Sequence, residues 1–133
     1  MADSPGAAAL CVRVGDLVVA LPAAAVSDVV PALQLTRVPG VGGAVAGLAN
    51  VRGVVLTVAD AHVLLDRPPR PGDEAALVVV THDGRRAALL VGDVLEVRTL
   101  DGAADGPPLL DLGALLAPVF GSTAPPGAPG GTT

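Results

Sequence analysis

Two histidines, one cysteine and eleven aspartates are the groups in this chain best suited to acid–base, nucleophilic or metal chemistry. Their spacing assembles none of those sites. His62 and His82 stand far apart, with Cys11 farther still, whereas a metal site needs clustered ligands. Each histidine reads as a surface or turn residue. Cys11 alternates within an apolar run and reads as a small buried hydrophobe rather than a nucleophile. No serine sits in a Gly-x-Ser-x-Gly elbow. Asp16, Asp83 and Asp101 fall in turn contexts, which is solvated loop chemistry. A phosphate-binding loop ends in Gly-Lys-Ser/Thr, and the chain has no lysine. In the run Gly40-Val41-Gly42-Gly43-Ala44-Val45-Ala46-Gly47, Val45 stands where a dinucleotide site needs its third glycine, so this is a flexible loop. The expectation is a protein that is not an enzyme, with no catalytic residue, cofactor or metal. Carboxylates distant in sequence can still converge in space, so a small β-barrel enzyme or ligand carrier stays open as an alternative.

One charge does stand out by its surroundings. The stretch Gly47-Leu48-Ala49-Asn50-Val51-Arg52-Gly53-Val54-Val55-Leu56-Thr57-Val58-Ala59-Asp60 reads as an apolar strand that contains a guanidinium and two glycines. Arg52 is permanently charged, so it must reach solvent, find a carboxylate or meet a partner. Gly47 and Gly53 weaken a strand unless a bulge, a bend or a close backbone approach needs them.

The composition restricts what such a charge can serve. The chain has 133 residues, 51% of them hydrophobic, which suffices for the core of one domain. Apolar content is almost all Val, Leu and Ala, with one Phe and no Trp or Tyr, and small branched side chains favour strands. The net charge of -5 argues against a nucleic-acid partner, which needs a dense basic face. No polybasic stretch holds it on an anionic membrane, and no apolar run reaches a bilayer-spanning length, so no direct membrane insertion is expected. The start lacks the positive region of a signal peptide, and a single thiol forms no internal disulfide. A cytoplasmic protein is expected, with any membrane association made through partners.

The elements that would position these residues are short. Ala8 to Val14 and Leu17 to Leu21 flank Gly15-Asp16 as a two-residue hairpin. Pro22 suits a helix start, and Val26, Val29 and Val30 have helical spacing, so Ala23 to Val30 is read as a short helix stopped by Pro31. Leu33 to Val38 reads as a strand, Ala44 to Ala49 as a turn or brief helix, and Asn50 to Val58 as one long strand. Asp60 caps a brief helix over Ala61 to Leu65. Asp66 to Asp73 is a stiff connection. Ala75 to Thr81 and Arg85 to Val91 form a second hairpin around His82-Asp83-Gly84. Val94 to Leu100 is a further strand, and Leu109 to Leu116 a small amphipathic helix. Residues 1–7 and the Gly/Pro/Ala-rich 118–133 read as disordered tails around one domain over 8–117. The fold class is mainly β, with short strands arranged as a barrel or a pair of barrels.

In this order the motifs resemble the CheW-like family, the adaptors that couple bacterial chemoreceptors to the histidine kinase CheA. Gly47-Leu48-Ala49-Asn50-Val51-Arg52-Gly53 with Val58-Ala59-Asp60 is similar to the family's Asn-Leu-Arg-Gly strand and the Val-x-Asp that follows. Leu17 to Leu21 followed by Ala25-Val26-Ser27-Asp28-Val29-Val30 is similar to its hairpin and its valine–acid–valine helix, and Leu35-Thr36-Arg37-Val38-Pro39 resembles the next strand. Leu77 to Val80, Gly84-Arg85-Arg86 and Leu89 to Val97 resemble its second hairpin and the strand beyond. Thr57 replaces the family's usual proline, Gly92-Asp93 inverts its usual order, and strand aromatics are missing. Between Leu100 and the last helix the family has further strands, and here there is only a short Gly/Pro-rich connection. In length and in that gap the chain is similar to the short CheW-like component of the myxobacterial Frz pathway.

The resemblance implies two SH3-like five-stranded barrels side by side, the second one shortened, with two or three short helices. It implies a non-enzymatic adaptor that docks the cytoplasmic tip of a chemoreceptor in arrays, with binding to the CheA regulatory domain weakened or lost. A complete coupling protein bridging receptor and kinase is the alternative. Other CheW-like proteins are expected partners, and receptor clusters on the membrane or nucleoid the expected location. The residues carried over to the receptor groove are Val26, Asp28, Val29, Gly47, Leu48, Asn50, Arg52 and Gly53.

Overall fold

A computed structural model describes residues 7–32, 35–37, 43–72, 74–100 and 107–120. Nine strands and two helices follow in order: β1 (Ala7–Val14), β2 (Leu17–Pro22), β3 (Val26–Pro31), β4 (Leu35–Arg37), β5 (Val45–Val51), β6 (Val54–Asp60), α1 (Ala61–Leu64), β7 (Ala76–His82), β8 (Arg85–Val91), β9 (Val94–Leu100) and α2 (Leu112–Phe120). The strands make a three-stranded sheet, β2-β1-β9, and a six-stranded sheet, β3-β7-β8-β6-β5-β4. All pairings between strands are antiparallel except β6 with β8, which is parallel. The expected mainly β, two-sheet architecture is present, although the larger sheet holds six strands rather than five.

Two hairpins form where their turns were read. Gly15 has a φ of 61° beside Asp16, and Asp83 and Gly84 have φ values of 58° and 79°, the positive pair that a tight two-residue hairpin requires. Asp60 caps α1 as expected, its Oδ1 accepting from the His62 backbone N–H at 2.9 Å.

Three readings are corrected. The expected helix over Ala23 to Val30 is a single 3-10 turn, Ala23–Ala25, followed by strand β3. Val26, Val29 and Val30 satisfy helical spacing by accident, and their β-branched side chains favour the extended chain instead. The expected turn at Ala44 to Ala49 and long strand over Asn50 to Val58 are two antiparallel strands, β5 and β6, joined by a tight turn at Arg52-Gly53. Finally, the last helix begins at Leu112, because Leu109 is engaged in a parallel bridge to Ala20. Of the regions read as tails, Ala7 instead begins β1 and 118–120 continue α2, while 1–6 and 121–133 lie outside the described residues, as do positions 33, 34 and 38 of the strand read over Leu33 to Val38.

The core explains the order of strands. In β7, Val78 and Val80 enter one apolar cluster while Leu77 and Val79 enter another, and in β8 Leu89 and Val91 alternate with Ala88 and Leu90 in the same way. These strands are buried on both faces, so their sequences run apolar without alternation. The first cluster lies under the smaller sheet, with Leu10, Val12, Leu21 and, from α2, Leu112 and Leu116. The second fills the curl of the larger sheet, with Val51, Leu56 and Val58.

Leu77 is fully buried and Val63 is half exposed, at 51%. Leu77→Ala should therefore lower unfolding stability in urea by about 2–5 kcal/mol, whereas Val63→Ala should change it by no more than about 0.5 kcal/mol. Similar losses at both positions would contradict this division of the core.

Candidate functional site

Four of the residues predicted to form a docking site, Asp28, Asn50, Arg52 and Gly53, meet at one end of the larger sheet. Val51 pairs with Val54, which leaves Arg52-Gly53 as a two-residue turn with φ values of 52° and 86°. Glycine adopts such a backbone freely, but arginine does so against the contact of its Cβ with the backbone. Asn50 supports the turn, its Oδ1 accepting the Gly53 N–H at 2.9 Å. The strain is therefore held by a side-chain brace on one flank and a strand pair on each side.

From this turn the Arg52 side chain reaches Asp28, on a strand that sheet order places three strands from β6. Only a curled sheet brings the two together. Arg52 Nε donates to Asp28 Oδ2 and Nη2 donates to Oδ1 at 3.2 Å, a two-pronged pairing that matches the planar guanidinium to the carboxylate. Asp28 Oδ1 also accepts the Val29 N–H at 2.9 Å.

A bulge aims Asp28. The register of β3 on β7 shifts between Val26 and Asp28, so Ser27 is extra and the two flanking side chains leave on opposite faces. Val26 opposes Val80 and packs on the first core cluster. Asp28 opposes Val79 and Val30 opposes Leu77, both on the second cluster, which puts the carboxylate at the rim of that cluster. Asp28 is only 17% exposed there, while Arg52 is 75% exposed. Hydrogen bonding from Arg52 holds the Asp28 carboxyl below the usual carboxylate range, aided by the Val29 N–H and the nearby charge of Arg86, and Asp28 in turn raises Arg52.

Other predicted residues take different places. Val29 points outward, 41% exposed, and lines a groove of about 620 Å³ that runs between the two sheets, from Val29 and Val30 past Ala76 to Asp93 and Val94. Val26 is turned into the core and does not line it. Leu48 is exposed on β5, two residues from Asn50 and so on the same outer face. Gly47 is buried, and a Cβ on it would stand 2.1 Å from the Thr36 carbonyl oxygen, so its role is to admit β4. Val54 and Val55, exposed at 41% and 61%, extend the apolar surface around the turn and escaped the sequence reading because that turn was read as strand. The signal for them was Asn50 and Gly53 set three apart, a local brace and a positive-φ residue.

Asp93, inverted relative to the family order, holds the junction of the two sheets. Its Oδ2 accepts from Arg13 Nη1 at 3.1 Å and its Oδ1 accepts the Glu74 N–H at 2.7 Å. The groove is thus bounded by an ion pair between sheets.

The chemistry-bearing residues do not converge. No group of three or more metal-ligating side chains is present among the described residues. Cys11 is buried, and desolvation pushes its thiol up, away from the nucleophilic thiolate. His62, expected at the surface, is instead buried, because Asp60 binds both its backbone N–H and, at 3.0 Å, its Nδ1, drawing the ring inward. Its Nε2 has no hydrogen-bond partner among the described residues.

The lowered Asp28 carboxyl sets a sign. It supports the folded state above the ordinary carboxylate range and loses that support as pH falls through its own lowered value. Removing the guanidinium with Arg52→Ala should raise the midpoint of the Asp28 carboxyl titration, followed by NMR, toward the ordinary 3.8. An unmoved midpoint would take Arg52 out of the account of Asp28.

Among solved structures, the fold is similar to the scaffolding protein TtCheW from Thermoanaerobacter tengcongensis, with a TM-score of 0.65 and 22% sequence identity over 73% of this chain and 67% of that one. No curated protein matches the chain in sequence. The family model for the CheW-like domain matches residues 8–125. With nearly its whole length matched by that model and its two sheets folded as in the TtCheW scaffold, the chain belongs to the CheW-like family of chemotaxis signalling scaffolds.

Proposed function

We propose that this protein docks the cytoplasmic tip of a chemoreceptor and has weakened or lost the capacity to bind a CheA-type kinase. The observation that carries the first half is the Arg52–Asp28 clamp, which locks a strained, exposed turn next to apolar Val54 and Val55, with Leu48 exposed further along β5. An exposed ion pair contributes little to stability, so a braced and strained one is better explained by what it positions. A receptor tip is a helical hairpin, and the exposed Arg52 guanidinium beside apolar Val54 and Val55 suits an amphipathic helix that also carries an acid, with the Val29 groove on the other face of β3 as a second apolar contact. Val29 is the groove residue on our reading. Val26 contributes only by packing beneath it, and Leu48 belongs to the face beside the turn.

The second half rests on the smaller sheet. It has three strands among the described residues, where the family ordinarily continues with more, so a kinase surface built on those strands is reduced. The role is then like that of the short Frz component, at receptor clusters and without catalysis. No helix among the described residues is long and apolar enough to cross a membrane, in keeping with recruitment through partners.

Pulldown on receptor signalling domains should give binding by the wild type and at least roughly tenfold less by Val29→Asp, which places a charge in the groove. Arg52→Ala should also bind weakly. Arg52→Gly separates function from folding, because it relieves the left-handed backbone and should melt higher than Arg52→Ala while binding no better. Full binding by Val29→Asp and both Arg52 variants would sink the groove assignment. Calorimetry against a CheA regulatory domain should show weak or no heat, and a tight complex would favour the complete coupling protein.

A further inference from the structure

We propose that the outer edge of β9 is a self-association site, on which a second copy of this chain adds its own β9 antiparallel about a two-fold axis. This surface lies on the smaller sheet, apart from the Arg52 clamp, and does not depend on the receptor reading.

The edge is open. β9 pairs only with β1, and the sheet order β2-β1-β9 leaves its other side without a neighbour among the described residues. The next described stretch of chain returns to the opposite edge of the sheet, where Ala20 N–H donates to the Pro108 carbonyl at 2.9 Å and Leu110 N–H donates to the Ala20 carbonyl at 2.8 Å. The edge is only partly protected: its bulge at Leu95 lies near the start of the strand, it has no proline and no lysine, and Leu95 and Val97 stand out at 40% and 65% exposure.

The sequence of β9 favours itself as occupant. Val94–Leu100 is centred on Val97, and in an antiparallel pair related by a two-fold axis through that residue the central residues Glu96, Val97 and Arg98, which lie past the bulge at Leu95, are in register. Val97 then opposes Val97 of the partner copy. Glu96 opposes Arg98 of the partner copy, and Arg98 opposes its Glu96. Both charged pairs join opposite signs on one face while the valines meet on the other, the arrangement that stabilises directly opposed residues in a sheet. Within a single copy Glu96 and Arg98 are only loosely paired, at 3.8 Å, and both are exposed. They are free to exchange that contact for two between copies. The product is one continuous sheet of β2-β1-β9 from one copy and β9-β1-β2 from the other.

Sedimentation velocity on the full chain, from about 1 µM to about 1 mM, should show a reversible monomer–dimer equilibrium. Glu96→Arg places Arg against Arg twice, and Arg98→Glu places Glu against Glu twice. Each should weaken dimerisation roughly tenfold or more. Mixing the two variants should restore a dimer, since every opposed pair is then of opposite sign, and the double variant Glu96→Arg/Arg98→Glu should dimerise as the wild type does. That recovery separates loss of contact from loss of fold. Arg52→Ala should leave the equilibrium unchanged. A wild type that stays monomeric throughout, a dimer indifferent to the single reversals, or a mixture and double variant no better than the singles would each overturn the proposal.

Discussion

The β7–β8 hairpin is buried on both faces, and that constraint governs the rest of the molecule. Four successive residues, Leu77 to Val80, feed two clusters alternately, so neither face tolerates a polar atom without a partner. Side chains on both faces must also be modest in size, or the layers above and below would be forced apart. The supply of Val, Leu and Ala and the near absence of aromatics follow from this. So does the position of functional charge. Arg52, Asp28 and Asp93 sit at a turn, beside a bulge and in the link between sheets, where a charged group can be neutralised without entering either cluster.

At the rim, local backbone irregularity does the aiming. One extra residue, Ser27, turns Asp28 toward the second cluster while Val26 keeps to the first, and without that bulge the carboxylate would leave on the wrong face. A positive φ at Arg52 projects its side chain from the turn, and the carboxylate it meets lies across the curl of the sheet. The pair therefore reports closure of the larger sheet as well as the shape of the exposed surface.

What the sequence made legible were the features in which a residue type and a conformation coincide. Gly15-Asp16 and Asp83-Gly84 name their turns because glycine and aspartate are what positive φ selects, and Asp60 names a helix start because its carboxylate is short enough to cap it. The Arg52-Gly53 turn was hidden because arginine is not a turn former, and apolar residues on both sides made one long strand plausible. The strand β3 was hidden because valines at 26, 29 and 30 fit a helical face, and the bulge at Ser27 breaks the alternation that would have announced a strand. His62 was misplaced because burial came from Asp60 binding its ring, a contact invisible to composition. Of the candidate residues, Asp28, Asn50, Arg52 and Gly53 come together at the turn, while Val26 and Gly47 serve packing, for reasons that depend on register.

The two sheets differ in how they finish. The larger curls until Asp28 on its edge strand β3 meets Arg52 at the turn between β5 and β6. Among the described residues the smaller ends on β9, and an open strand edge of that kind recognises extended chain rather than a helix. A helical partner on the groove and an extended partner on β9 thus use different physics and do not compete for the same hydrogen bonds. They are still mechanically joined, because Asp93 and Val94 form one wall of the groove and Val94 begins β9. Among the described residues β9 has one partner strand, and its first residue also lines the groove.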